Sequence, residues 1–187
     1  MTGMSAVRRQ DERLSFAEVI DQHQKAIYGY LLSFTRNPHD AQDLFQDTFL
    51  RAYRAYAALP LDANLRAWLM RIAVNLSRNY VRARRRRSRV LVEGSELQSA
   101  DDIGQPQIIS DTESTMISRQ TARILLSTIE SLPFRQRTAL VQRQFEGLDY
   151  QAIAANLGCS QESARAHVYQ ALRKLRLSLE RTDSVAK

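Results

Sequence analysis

Residues 149–172 read DYQAIAANLGCSQESARAHVYQAL, and this stretch decides the fold of the C-terminal half. Two helical apolar patterns flank a short break. Ala154 is small where two helices must cross closely, and Gly158 ends the first helix, where a left-handed conformation is cheap only for glycine. Ser160 is placed to cap the second helix, Leu157 and Cys159 face inward, and Ala164 and Val168 turn the second helix back to a core. These are the offsets of a helix-turn-helix. The open face then carries Gln161, Glu162, Ser163, Arg165, Ala166, Tyr169 and Arg173, most of them able to reach base edges or phosphates. Helical hairpins with a glycine turn also occur in proteins that bind no DNA. The basic end RKLR at 173–176 favours nucleic acid.

Upstream, residues 134–145 predict a helix capped by Gly147, and Ile117, Thr121, Ile124, Leu125, Thr128 and Ile129 mark another, ending at Leu132-Pro133. Before it, from Glu93 to Thr115, the chain holds six acids and not one Lys or Arg, with Gly94, Gly104 and Pro106 breaking any periodicity. This composition predicts a flexible acidic linker.

The N-terminal half predicts three helices. The first covers Phe16–Thr35, with Ser15 and Glu18 as a capping box and an apolar face of Phe16, Val19, Ile20, His23, Ile27, Tyr30, Leu31 and Phe34. The second, over 39–59, has an inner stripe from Ala41 through Leu44, Phe45, Thr48, Phe49 and Ala52 to Tyr53 and Tyr56. Asp40, Asp43 and Asp47 form an acidic ridge along it, for which a solvated helix face is the alternative. The third starts near Asn64, buries Leu65, Trp68, Leu69, Ile72, Ala73 and Leu76, and runs into RNYVRARRRRSR at 78–89, where seven of twelve residues are arginine. That run therefore extends a helix instead of floating free, with a plain surface charge patch as the alternative.

The totals agree with an all-α protein of two small helical domains: 187 residues, 44% apolar, with only 6 Gly and 4 Pro. A formal charge of +7 attracts nucleic acid, an acidic membrane surface or acidic protein. The lone Cys159 leaves no intramolecular disulfide and no Cys-x-x-Cys zinc arrangement, which suits the cytoplasm. No apolar run approaches the roughly 20 residues that span a bilayer, and MTGMSAVRRQDERLS lacks the apolar segment of a secretory signal. His23, His39 and His167 are scattered, and no catalytic triad, metal set or phosphate loop stands out, so neither catalysis nor a cofactor or metal is expected.

Taken together, NPHDAQDLFQDTFLRAYR, LRAWLMRIAVNLSRNYVRARRRR and LPFRQRTALVQRQFEGLDYQAIAANLGCSQESARAHVYQALRKLR resemble the sigma-70 family of bacterial RNA polymerase initiation factors, specifically its small extracytoplasmic-function (ECF) group. The resemblance covers everything but the termini and linker. It implies a sigma-2-like domain over 1–92, a linker over 93–113 and a sigma-4-like domain over 114–187. It further implies a stress- or signal-responsive promoter-specificity subunit whose partners are core polymerase (the beta-prime coiled coil and the beta flap), promoter DNA and an anti-sigma factor.

By position, the resemblance assigns Asp40, Asp43, Gln46 and Asp47 to the polymerase surface. Arg71, Asn75, Arg78, Asn79 and Tyr80 fall in the segment that melts and holds the −10 element, with Asn75 and Asn79 reading bases and Trp68 either core or stacking platform. The basic end that follows, Arg82 and Arg84–Arg87, is expected to grip promoter backbone. The helix-turn-helix corresponds to the −35 reader. His167 stands where the family commonly carries arginine, and the acidic linker corresponds to the segment that threads toward the active-site and RNA-exit channels, with a plain solvated spacer as the alternative. A stand-alone DNA-binding regulator is the competing reading; the acidic ridge, which a simple repressor does not need, argues against it.

Overall fold

The computed structural model describes residues 13–92 and 113–185, with side chains described in those ranges except at 88–92, 113–120 and 182–185. The expected acidic linker lies outside the described residues, apart from Glu113. Seven helices follow in order: α1 (Phe16–Thr35), α2 (Pro38–Tyr56), α3 (Leu65–Val92), α4 (Glu113–Ser131), α5 (Phe134–Gln144), α6 (Tyr150–Leu157) and α7 (Gln161–Val185). No strand occurs among the described residues.

Local chemistry sets the helix ends. Ser15 Oγ accepts the Glu18 N–H at 3.3 Å while the Glu18 carboxylate accepts the Ser15 N–H at 2.9 Å, so the capping box forms. At the other end Arg36 turns left-handed (φ 56°), a conformation that costs a non-glycine residue roughly 1 kcal/mol. Asn37 then caps α2 by accepting the N–H groups of His39 and Asp40. Pro38 does not break the chain as a spacer; it is the first residue of α2, where its missing N–H is not needed. After α5, Gly147 (φ 64°) lets Leu148 N–H reach back to the Gln142 carbonyl at 3.0 Å, closing the helix.

α1, α2 and α3 pack as a trio around Val19, Ile27, Tyr30, Leu31, Phe49 and Leu69. Tyr53, expected inside, is 65% exposed and meets the trio only through the edge of Phe16, with ring centroids 5.2 Å apart. α3 is buried over a wider arc than its expected stripe, because Met70, Val74 and Ser77 are buried as well. The reason is a second neighbour: α6 packs on α3 from the side that α1 and α2 leave open. One hydrophobic cluster thus runs through both halves, from Val19 and Phe34 to Ile153, Leu157 and Val168.

Arg137 of α5 holds this junction. Its Nε donates to the Ile129 carbonyl at 2.9 Å and its Nη1 to that of Ser33 at 2.6 Å, while Nη2 donates to the Glu130 carbonyl. The guanidinium also lies 5.0 Å from the Phe34 ring centroid. These carbonyls belong to the last turns of α1 and α4, which have no intrahelical donors and carry the negative end of the helix dipole. Burial, reinforced by Arg36, pulls the Arg137 pKa down to about 10, so the side chain stays charged at neutral pH. Replacing Arg137 by alanine takes the donor from the Ser33 and Glu130 carbonyls, while Ile129 keeps the Leu132 N–H at 3.2 Å, and is expected to cost about 2–3 kcal/mol. Thermal denaturation followed by circular dichroism should register this as a fall in Tm of about 5–10 °C. Arg137→Lys should recover only part, because one ammonium cannot span all three acceptors.

Candidate nucleic-acid interface

α3 sorts its polar residues by direction. Arg71, Asn75, Asn79, Arg82 and Arg86 are all exposed, and their spacing confines them to about 80° of helical arc. This stripe is a cationic and amide surface opposite the buried flank. Other candidates on the same helix turn elsewhere. Arg78, at the edge of the stripe, donates to the Leu157 carbonyl of α6 at 3.3 Å and sits 5.9 Å from the Phe134 ring centroid. Tyr80 donates its hydroxyl to Asp40 Oδ2 at 2.7 Å, and Arg84 Nη1 reaches the Thr35 carbonyl at 3.4 Å. Arg85 and Arg87 are exposed. Trp68 is half-buried against the core, its ring centroid 6.5 Å from that of Tyr56.

The acidic ridge on α2 is divided in the same way. A shallow groove of about 770 Å³ opens between α1 and α2, floored by Phe16, Ile20, Leu44, Phe45, Phe49 and Leu50. Asp43, Gln46 and Asp47 stand on its lining, whereas Asp40 does not and points to Tyr80 instead. Asp47 also lies 3.7 Å from Arg51, an exposed pair one turn along that adds little stability. The groove escaped the sequence reading because Leu50, 48% exposed, falls one position off the inward stripe.

The helix-turn-helix is built as its residues predict. Asp149 Oδ1 caps α6 through the Ala152 N–H at 2.7 Å, Gly158 takes the left-handed conformation (φ 63°), and Ser160 Oγ caps α7 through the Ser163 N–H at 3.2 Å. Ala154, Leu157, Ala164 and Val168 are buried between the two helices. Gln161, Glu162, Arg165, Ala166, Tyr169 and Arg173 are exposed, and Ser163 is half-buried with its hydroxyl 3.1 Å from that of Ser160. Arg165 and Arg143 both lie against the Tyr150 ring, 5.4 and 4.8 Å from its centroid, so an aromatic of α6 steadies a cation of the recognition helix. His167 lies at the back of α7, half-buried. Burial and Arg135 hold its pKa below the ordinary value, so it is neutral at neutral pH and adds no charge to the open face.

Among the described residues no group of three or more His, Cys, Asp or Glu side chains could hold a metal, and no helix is long and apolar enough to cross a membrane. The molecule is thus a helical protein with two outward-facing polar surfaces suited to nucleic acid, one on α3 and one on a helix-turn-helix. Comparison with known proteins agrees. Residues 19–87 match the family model of Sigma-70 region 2 and residues 122–175 that of Sigma-70, region 4. The RNA polymerase sigma-H factor of Pseudomonas aeruginosa is 34% identical over 88% of this chain and 86% of its own. The ECF RNA polymerase sigma-E factor of Escherichia coli K12 is 36% identical over 71% of this chain and 70% of its own. In fold, the chain is similar to the sigma factor RpoE of Bartonella quintana, solved with the anti-sigma factor NepR (TM-score 0.68, 23% identity, 88% of this chain and 96% of that one). It is likewise similar to CnrH, solved with the cytosolic domain of CnrY (TM-score 0.60, 24% identity, 88% and 87%). The chain belongs to the sigma-70 family, in its ECF group, and is an alternative sigma factor of transcription initiation. That family consists of specificity subunits of transcription, generally without catalysis of their own.

Two ion pairs join the halves, Arg36 to Glu130 at 3.2 Å and Arg66 to Glu146, and the second involves a buried acid that the sequence did not single out. Glu146, at the end of α5, is buried, with its Oε2 3.4 Å from Arg66 Nε and its backbone carbonyl accepting from Arg66 Nη1 at 2.9 Å. Burial raises the Glu146 pKa above the ordinary value although Arg66 opposes the shift. A carboxyl raised in the folded state binds more protons there than when unfolded. Its contribution to stability is therefore greatest at low pH and falls as pH rises from about 4.5 through the folded value. At neutral pH the cost is fully present. Glu146→Gln should therefore raise Tm at pH 7, with the gain vanishing as pH approaches 4.5; thermal melts over that range check it.

Proposed function

We propose that the three surfaces divide the work of a sigma factor. The groove between α1 and α2, with Asp43, Gln46 and Asp47 on its lining, takes the basic coiled coil of the polymerase beta-prime subunit. Acids around an apolar trough suit an amphipathic basic helix and repel phosphate, which keeps this face off the DNA. The open stripe of α3 holds the −10 element, Asn75 and Asn79 contacting bases while Arg71, Arg82 and Arg86 hold phosphates, and α7 reads the −35 element in the major groove through Gln161, Arg165, Tyr169 and Arg173. The sorting of α3 carries this reading: amides and cations share one exposed arc, and the apolar residues lie opposite.

In this reading residues 1–92 form the sigma-2-like unit and 114–187 the sigma-4-like unit, which also meets the beta flap, with 93–113 connecting them. The protein works in the cytoplasm and responds to stress or another signal. An anti-sigma factor restrains it, a partner suggested by the complexes of RpoE with NepR and of CnrH with CnrY.

Transcription in vitro with the core polymerase of its own organism is the direct test. Promoter-dependent initiation is expected, and its absence would sink the proposal. Reversing Asp43 and Asp47 to lysine should abolish binding to core polymerase. Neutralising Arg82 and Arg86 should weaken holoenzyme binding at every promoter and reduce the slope of log K against log salt by about two. A change in which promoters are chosen would contradict a backbone role for those two arginines.

A further inference from the structure

The Asp40–Tyr80 hydrogen bond joins the start of α2 to the middle of α3, and it divides the acidic ridge. Asp40 is half-buried, stands apart from the α1–α2 groove and accepts the Tyr80 hydroxyl at 2.7 Å. Four residues further along α3, Arg84 donates to the Thr35 carbonyl at the end of α1. The tight turn between α1 and α2 thus grips α3 at two points one helical turn apart. Both points lie on the face of α3 opposite Arg82 and Arg86. The turn is itself fixed by the left-handed Arg36 and by Asn37, whose side chain accepts the Asp40 N–H at 3.3 Å. Burial and the Asp40 carboxylate both push the Tyr80 phenol up, so it remains a donor at neutral pH.

We infer that Asp40 is a positioning residue for promoter binding, acting through Tyr80, and not a polymerase contact like Asp43 and Asp47. The carboxylate holds the distal half of α3 against the α1–α2 turn, so that the arginines behind the −10 readers are presented at a fixed place on the bundle, in line with Asn75 and Asn79. Tyr80 is then a buckle and does not stack on a base. This rests on the assignment of α2 to polymerase and α3 to the promoter.

The test uses the full-length chain, reconstituted with core polymerase, and the variants Asp40→Asn, Asp40→Ala, Tyr80→Phe and the double Asp40→Ala/Tyr80→Phe. Core affinity and holoenzyme affinity for promoter DNA are measured separately, with Tm alongside. Asp40→Ala and Tyr80→Phe should each weaken promoter affinity about tenfold, the loss of one charge-assisted hydrogen bond. Asp40→Asn keeps an acceptor and should stay within about threefold of the parent. The double variant should be no worse than either single one, and core affinity should stay within about twofold in all four. If Asp40→Asn lost core affinity as fully as Asp40→Ala, the charge would face polymerase and the inference would fail. It would fail equally if Tyr80→Phe bound promoter like the parent, or if the double variant multiplied the two losses. Should Asp40→Ala not fold, Asp40→Asn and Tyr80→Phe still decide the matter. A reference variant with Asp43 and Asp47 reversed separates this failure from the broader one: unaltered core affinity there would overturn the polymerase assignment alone.

Discussion

The guanidinium of Arg137 sits where the C-terminal ends of α1 and α4 come together, and much of the architecture follows from its need for acceptors. A buried cation is costly unless it is hydrogen-bonded, and helix-end carbonyls are costly unless they receive donors. Three such carbonyls around one guanidinium satisfy both demands, and they tie the second group of helices to the first. With α5 fixed against α1, the Tyr30 and Thr138 hydroxyls meet at 3.3 Å in a buried contact, and α6 comes down on α3. α3 is then packed from two directions. Between Leu69 and Asn79 one arc of its surface remains open, and that arc carries Arg71, Asn75 and Asn79.

The opposed charges on one small protein find their explanation in that geometry. Acids flank an apolar groove on α1 and α2, cations line the open arc of α3, and the recognition helix projects its polar residues from the other half of the chain. In the proposed division of work each surface disfavours the other's partner by charge, which matters for a sigma factor that would bind a basic protein and a polyanion at once. Glu146 with Arg66 and Glu130 with Arg36 are exceptions, since they spend their charges on each other at the seam between the halves.

Where local chemistry decides an element, it was readable from the residues: the Ser15 capping box, the left-handed Gly158 and the Ser160 cap each specify a helix end without reference to anything distant. The inner stripes of α1 and of the helix-turn-helix were legible because their buried residues fall on one face and so repeat with one period. The second buried flank of α3 was not, since Met70 and Val74 blur its period and nothing local announces α6 as a partner. Arg137 was invisible for a different reason. Arginine is almost always exposed, and its acceptors lie up to 104 positions away. The bond from Tyr80 to Asp40 spans 40 positions, so periodicity alone left Asp40 in the same row as Asp43 and Asp47.

On α3 the residues that hold the protein together and those that face outward hardly overlap. Leu69, Met70, Ala73, Val74, Leu76 and Ser77 are locked by two layers of neighbours, while Asn75 and Asn79 are exposed and bury nothing that the fold requires. Exposed positions of that kind usually accept substitution within about 0.5 kcal/mol. With Asn75 and Asn79 as the proposed base contacts, an ancestor with this helix can give rise to descendants with altered DNA preference one residue at a time, without passing through a form that fails to fold. The separation of the two sets on a single rod turns specificity into something that can drift while the scaffold stands still.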